Sequence, residues 1–227
     1  MEAQEKKLSE RESLDLIATM INKAKDAYHE TGVGAIMWGV IIAFCSLVRL
    51  SEIQFGYELP FDIYLLTIIA VIPSIIMTAQ QKKRQRVKPY DEPYLDYIWL
   101  GFGICIFLLI WIVNSIYGHL NPMVNDYREL TKGRIDSVDF QFSEFVSPFF
   151  LLLYGLPTFV TGAAFKFKPM LWGGIFCWAS SVATIYTPIR IDLLLTASSA
   201  IMAWLIPGIM MEKEYRKYKK EQAKPDV

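Results

Sequence analysis

The 227 residues include only two histidines, His29 and His119. On the topology argued below they lie on opposite sides of a membrane, so they cannot share a metal or serve together as axial haem ligands. There is no His-Glu-x-x-His pair, no Gly-x-Ser-x-Gly elbow and no phosphate-cradling glycine loop. The three cysteines, Cys45, Cys105 and Cys177, each fall inside an apolar run, which does not read as a disulfide framework. The formal net charge is zero, which points to no nucleic-acid partner. The first 30 residues are charged and lack an apolar core with a cleavage site, so no cleaved signal peptide is expected. No catalytic, cofactor-binding or metal-ligating residue emerges, and the expectation is a protein that is not an enzyme.

What the chain has in quantity is apolar sequence: 53% of its residues are hydrophobic and its mean hydropathy is +0.29. The charges are confined to short blocks. Between them lie six runs, Val33–Val48, Ile63–Ala79, Ile98–Tyr117, Val146–Phe165, Met170–Ile189 and Leu193–Met211, the first of them short. About 20 helical residues cross a hydrocarbon core of roughly 30 Å. A helix satisfies its own backbone, which lipid cannot do. No charge sits in the middle of a run, where a proton- or ion-coupled transporter keeps ionisable groups. Asp62, Asp192, Arg49 and Arg190 fall at the outer boundary, where they mark the water line or form a ring of ion pairs.

Lys and Arg alternate in abundance across these runs. One side holds 18 of the 23: five before the first run, five between Lys82 and Lys88, Lys166 and Lys168, and six from Lys213 to Lys224. The other side holds Arg49, Arg128, Lys132, Arg134 and Arg190. By the positive-inside rule both termini are expected in the cytoplasm.

A repeat organises the runs. Trp38 and Pro73 are 35 positions apart, as are Trp172 and Pro207. Trp99 and Pro157 make a looser copy with a separation of 58. The expected fold is therefore an all-α membrane protein, with six transmembrane helices as three tandem helical hairpins. Trp38, Trp99 and Trp172 mark the repeats; Pro73, Pro157 and Pro207 kink the closing helices. Each proline frees a carbonyl one turn back, so the three kinks either line a vestibule or help the bundle pack. Small-residue faces at Ala35, Gly39 and Ala43, at Thr158 and Gly162, and at Ala179 and Ala183 permit close helix approach, in a bundle or a dimer.

Residues 1–32 read as a cytoplasmic amphipathic helix. Ser9 and Glu12 have capping-box spacing, and Leu14, Ile17, Ile21, Ala24 and Tyr28 form one stripe. This helix lies on the membrane, packs under the bundle, or binds a partner helix. Residues 33–211 form the bundle and 212–227 a basic tail. The basic, Pro-rich connector from Gln81 to Tyr94 suits lipid headgroups. Lys166 to Pro169 is so short that the fourth and fifth spans must be antiparallel neighbours. An extracytoplasmic insertion, 118–147, carries Asn121-Pro122 as the expected start of a separate helix and Gly133 as its stop. Phe140, Phe142 and Phe145 are expected at the interface.

Two stretches carry a resemblance: Leu156-Pro157-Thr158-Phe159-Val160-Thr161-Gly162 with Phe165 to Gly174, and Glu12-Ser13-Leu14 through Lys25 leading to Trp38-Gly39. Together they resemble a family of uncharacterised multi-pass bacterial inner-membrane proteins, often found beside small winged-helix regulators. The resemblance implies an inner-membrane location and a signalling or stress-response setting. It brings no activity and no site residues. The functional expectation is a sensory, regulatory or scaffolding membrane partner, with the lipid bilayer and either another protein or itself as partners. The alternative is a transporter or channel for a small neutral solute, since tandem repeats are a common transporter design. A lipid-acting enzyme would need a polar cluster at one depth, with a groove open to lipid.

Overall fold

A computed structural model describes residues 31–84, 92–130 and 146–222. The described chain is all-α: α1 (Val33–Phe55), α2 (Leu65–Arg84), α3 (Glu92–Leu130), α4 (Ser147–Ala164), α5 (Lys168–Ala183) and α6 (Ile189–Ala200). After α6 comes a π-helical turn (Ile201–Leu205), which runs directly into α7 (Ile206–Gln222). The expected N-terminal helix, the interfacial phenylalanines, Gly133 and residues 85–91 of the Pro-rich connector lie outside the described residues.

Among the described residues, four helices are long and apolar enough to cross a membrane: Val33–Phe55, Tyr94–Leu120, Ser147–Ala164 and Ile189–Lys220. The expectation of six spans is corrected at two places. In α2 the apolar stretch is only the 16 residues Leu65–Gln80. Its start is held back by a turn in which Asp62 Oδ1 accepts the Tyr64 backbone N–H at 2.9 Å. α5 also has 16 residues. It stops because Thr184 Oγ1 turns back to the Ser181 carbonyl at 2.9 Å and Pro188 is extended, as a residue outside a helix is. At 1.5 Å per residue, 16 residues reach about 24 Å, less than a hydrocarbon core.

A third correction concerns the insertion. Asn121-Pro122 does not start a new helix; α3 runs through Pro122 to Leu130 as 39 continuous residues. Helix continuity overrides the local signal here: a helix already about eight turns long tolerates one missing N–H.

The core lies among α1, α4, α5 and α6. Ile42, Ala43, Leu151, Tyr154, Cys177, Ala197, Ala200, Ala203 and Trp204 are buried together, with Trp38, Trp99, Phe102 and Phe150 against them. Glycine sets the spacing. A Cβ on Gly162 would come 2.5 Å from the Leu171 backbone nitrogen, and one on Gly174 would come 2.8 Å from the Phe159 backbone nitrogen. α4 and α5 therefore meet backbone to backbone, as the short connector requires. The connector turns on Lys166 in the left-handed region, φ 52°, with Phe167 N–H donating to the Gly162 carbonyl at 2.8 Å. On α5 the buried small residues are Gly173, Gly174, Cys177, Ser180 and Ser181. Ala179 is exposed, so the face expected from Ala179 and Ala183 is not the one that packs within this bundle.

α2 and α3 are peripheral. Ala70 is buried in α2 and Leu95 in α3, and the apolar window of α3 buries none of its residues. Ile68, Ile69, Ile72, Phe107 and Trp111 are each more than 60% exposed. In a bilayer such faces cost nothing, since lipid tails are as apolar as the side chains.

Candidate functional site

The helix that closes the chain is the axis of the molecule. Pro207 has no N–H to give to the carbonyl of Ala203, and the preceding turn has slipped to π geometry, with the Ile206 N–H bonded to the Ile201 carbonyl. Such a turn widens the helix and leaves backbone exposed. Two glycines close on it. A Cβ on Gly39 would lie 2.6 Å from the Leu205 nitrogen, and one on Gly173 would lie 2.6 Å from the Ala203 Cα and 2.7 Å from the Met202 oxygen. Both follow a repeat tryptophan, so Trp38-Gly39 and Trp172-Gly173 clasp the π turn from α1 and α5. Gly101, the glycine of the looser copy, has nothing within 4 Å.

Trp204, inside the π turn, is 4% exposed. Its Nε1–H donates to Thr158 Oγ1 at 2.8 Å. Thr158 Oγ1 in turn donates to the Tyr154 carbonyl at 2.7 Å. Pro157 leaves the Leu153 carbonyl without its usual donor, and the carbonyls either side of it take side-chain donors: Tyr154 from Thr158, and Leu152 from Trp178 Nε1 at 3.2 Å. The Trp204 ring sits 4.9 Å from the Tyr154 ring and 6.4 Å, edge-on, from Phe102. Trp99 continues the cluster at 5.6 Å from Phe102.

The markers read from the sequence take three different places. Pro157 and Pro207 are fully buried, and Pro73 is exposed. Trp38 Nε1 donates to Ser74 Oγ at 3.4 Å, and Trp99 Nε1 donates to Thr161 Oγ1 at 3.2 Å. Each of these tryptophans thus bonds the next helix of the chain near its proline. Trp172 is 64% exposed. The third indole in the core is Trp204 instead, which sequence reasoning did not single out. Its signal was the step of three to Pro207, on the same helix face.

Polar groups gather at the end of the bundle away from Gly208. Arg49 pairs with Glu52 at 2.9 Å, and Glu52 Oε1 also accepts the Leu59 N–H at 3.0 Å. This fixes the turn after Gly56, which is left-handed at φ 68°. Arg49 is thus engaged by Glu52, and Asp62 by the Tyr64 backbone, rather than by one another in a ring. Asp192 is fully buried, not merely at the water line. Thr187 Oγ1 lies 2.5 Å from its Oδ1 and 3.1 Å from the Ala183 carbonyl, and its single proton serves the shorter contact. Ser46 Oγ and Tyr64 Oη are 3.3 Å apart, and Cys45 Sγ donates to the Ile63 carbonyl at 3.5 Å. These bonds tie the turn before α2 onto α1.

Among the described residues, no group of three or more His, Cys, Asp or Glu is placed to hold a metal. A depression of about 450 Å³ is lined by Trp111, Ile112, Ser115, Ile116, His119 and Leu120. All six belong to α3, so it is a groove along one helix and does not enter the bundle. No family model, no curated protein and no solved structure matches the chain.

Proposed function

We propose that this membrane protein acts through contacts, as a sensory, regulatory or scaffolding partner, and that it does no catalysis. One observation carries the reading. The core around Trp204 is filled and internally bonded, while α2 and α3 turn broad apolar faces outward. Two helices that add so little to the fold are available to another protein or to a second copy. The packing beside the buried prolines weighs against the alternative of a solute pathway, because Trp204, Thr158 and Tyr154 touch where a vestibule would open. The rest of the reading belongs to the same proposal: three tandem hairpins, both ends in the cytoplasm, a bacterial inner membrane, and the family suggested by Leu156–Gly162 and Phe165–Gly174. Photo-crosslinkers at Ile72, Phe107 and Trp111 in native membranes test it. Discrete protein adducts at these positions, and not at the core residue Leu151, are expected. Recovery of lipid adducts alone from all three would overturn it.

A further inference from the structure

α3 carries two stripes. Trp99, Phe102 and Ile106 pack against the core. On the opposite side Leu100, Ile104, Phe107, Trp111, Asn114 and Gly118 follow one another at alternating steps of four and three, and all of them are exposed. Such steps average about 3.5 residues, the period that keeps one helix against another along its length. No described residue covers this seam. Its four apolar members are each more than half exposed, and a Cβ on Gly118 would meet nothing within 4 Å. Apolar area does not choose the neighbour here, because lipid covers it equally well. Asn114 does. Its amide nitrogen donates to the Ile110 carbonyl at 2.8 Å, and its Oδ1 accepts from no described residue. Residue 107 is the midpoint of the apolar span Tyr94–Leu120, and Asn114 lies about 10 Å along the axis from it. That is inside the half-thickness of a hydrocarbon core, about 15 Å, where the amide finds no water and needs another helix.

We infer that α3 of a second copy fills this seam, the two helices running parallel about a twofold axis along the membrane normal, with Asn114 bonded to the same residue of the second copy. Two copies inserted the same way bring their α3 helices together in parallel, so each seam residue meets its own equivalent. A carboxamide is complementary in charge to itself in that arrangement: the partially positive N–H of each faces the partially negative C=O of the other. A single Asn in an apolar seam is also what fixes the register and the number of helices in a coiled pair. A foreign helix would have to bring both a matching stripe and an amide at the same depth; this chain already has both. The inference rests on the proposed function, in that it takes the outward face of α3 as a contact surface, and it names the occupant.

Oxidative crosslinking between differently tagged full-length copies in membranes tests it. Cys45 and Cys177 are buried, whereas Cys105 is exposed and lies off the seam, so the native chain is one control. In a Cys105→Ser background, Ile104→Cys and Phe107→Cys are expected to form disulfides between copies at least tenfold faster than native Cys105, or than Ile112→Cys on the flank of α3. Asn114→Leu is expected to slow both seam crosslinks at least fivefold, and Asn114→Gln, which keeps a carboxamide, to restore most of the rate. Equal rates on seam and flank would overturn the pairing, as would seam crosslinks that Asn114→Leu leaves untouched. Photo-adducts at Phe107 and Trp111 to other proteins alone would also overturn it while leaving the proposed function standing. Lipid adducts alone at these positions and at Ile72 would overturn both.

Discussion

Trp204 donates its indole N–H to Thr158 across the bundle, and each partner sits beside a buried proline: Thr158 follows Pro157, and Trp204 lies three residues before Pro207. The two helix irregularities are thereby locked to each other. A kink in one helix that is bonded to a kink in another cannot straighten alone. Removing half of the bond strands the other half. Thr158→Val keeps the shape and leaves the Trp204 N–H without its acceptor, so a loss of about 1–2 kcal/mol is expected. Thermal unfolding in detergent reads it. The double variant Thr158→Val with Trp204→Phe is expected to lose less than the two single changes added together.

The clasp on the π turn makes a steric prediction. Gly39→Ala and Gly173→Ala place a methyl group against backbone atoms that no rotamer change can move. Each is expected to cost about 1–3 kcal/mol through overpacking and to lower the melting temperature. Gly101→Ala and Gly34→Ala meet open space and are expected to be neutral or slightly stabilising. Equal effects at Gly173 and Gly101 would remove the clasp from the account.

Glu52 holds the turn after α1 through Arg49 and the Leu59 amide. Glu52→Ala is expected to speed hydrogen exchange at Leu59 by about tenfold or more, while the exchange of α4 and α5 is unchanged. Glu52→Gln keeps one acceptor for the amide and is expected to fall between the two.

Topology offers the plainest check. Tags on the two ends are expected on the same side of the membrane, since either four or six crossings is an even number. A tag in the turn holding Glu58 is expected on the other. Protease protection in oriented vesicles distinguishes the cases, and tags found on opposite faces would break the membrane reading.

Much of this architecture could be read before folding. The apolar runs located α1, α3, α4 and the closing helix, because lipid-length helices need only unbroken hydrophobicity, but only α4 nearly at its ends; the others run on into polar sequence. The spacing of Trp38-Gly39 and Trp172-Gly173 pointed to equivalent elements, and both glycines do meet the same turn. Legibility failed where one partner is distant. Nothing local to Asn121-Pro122 says that α3 passes through it. Nothing near Trp172 says that its ring points away from the core, nor that Trp204 takes the central place.

Composition and charge order by themselves determined that this chain is a set of apolar helices with basic residues gathered at alternate connections. Those properties act residue by residue, through the free energy of moving a side chain between water and lipid. Only the tertiary structure decided which prolines are buried, which indole finds Thr158, and which helices stay at the edge. In hydrocarbon, apolar surface gains little by choosing one neighbour over another. The choice falls to glycine contacts and single hydrogen bonds, and those exist only once two distant helices are side by side.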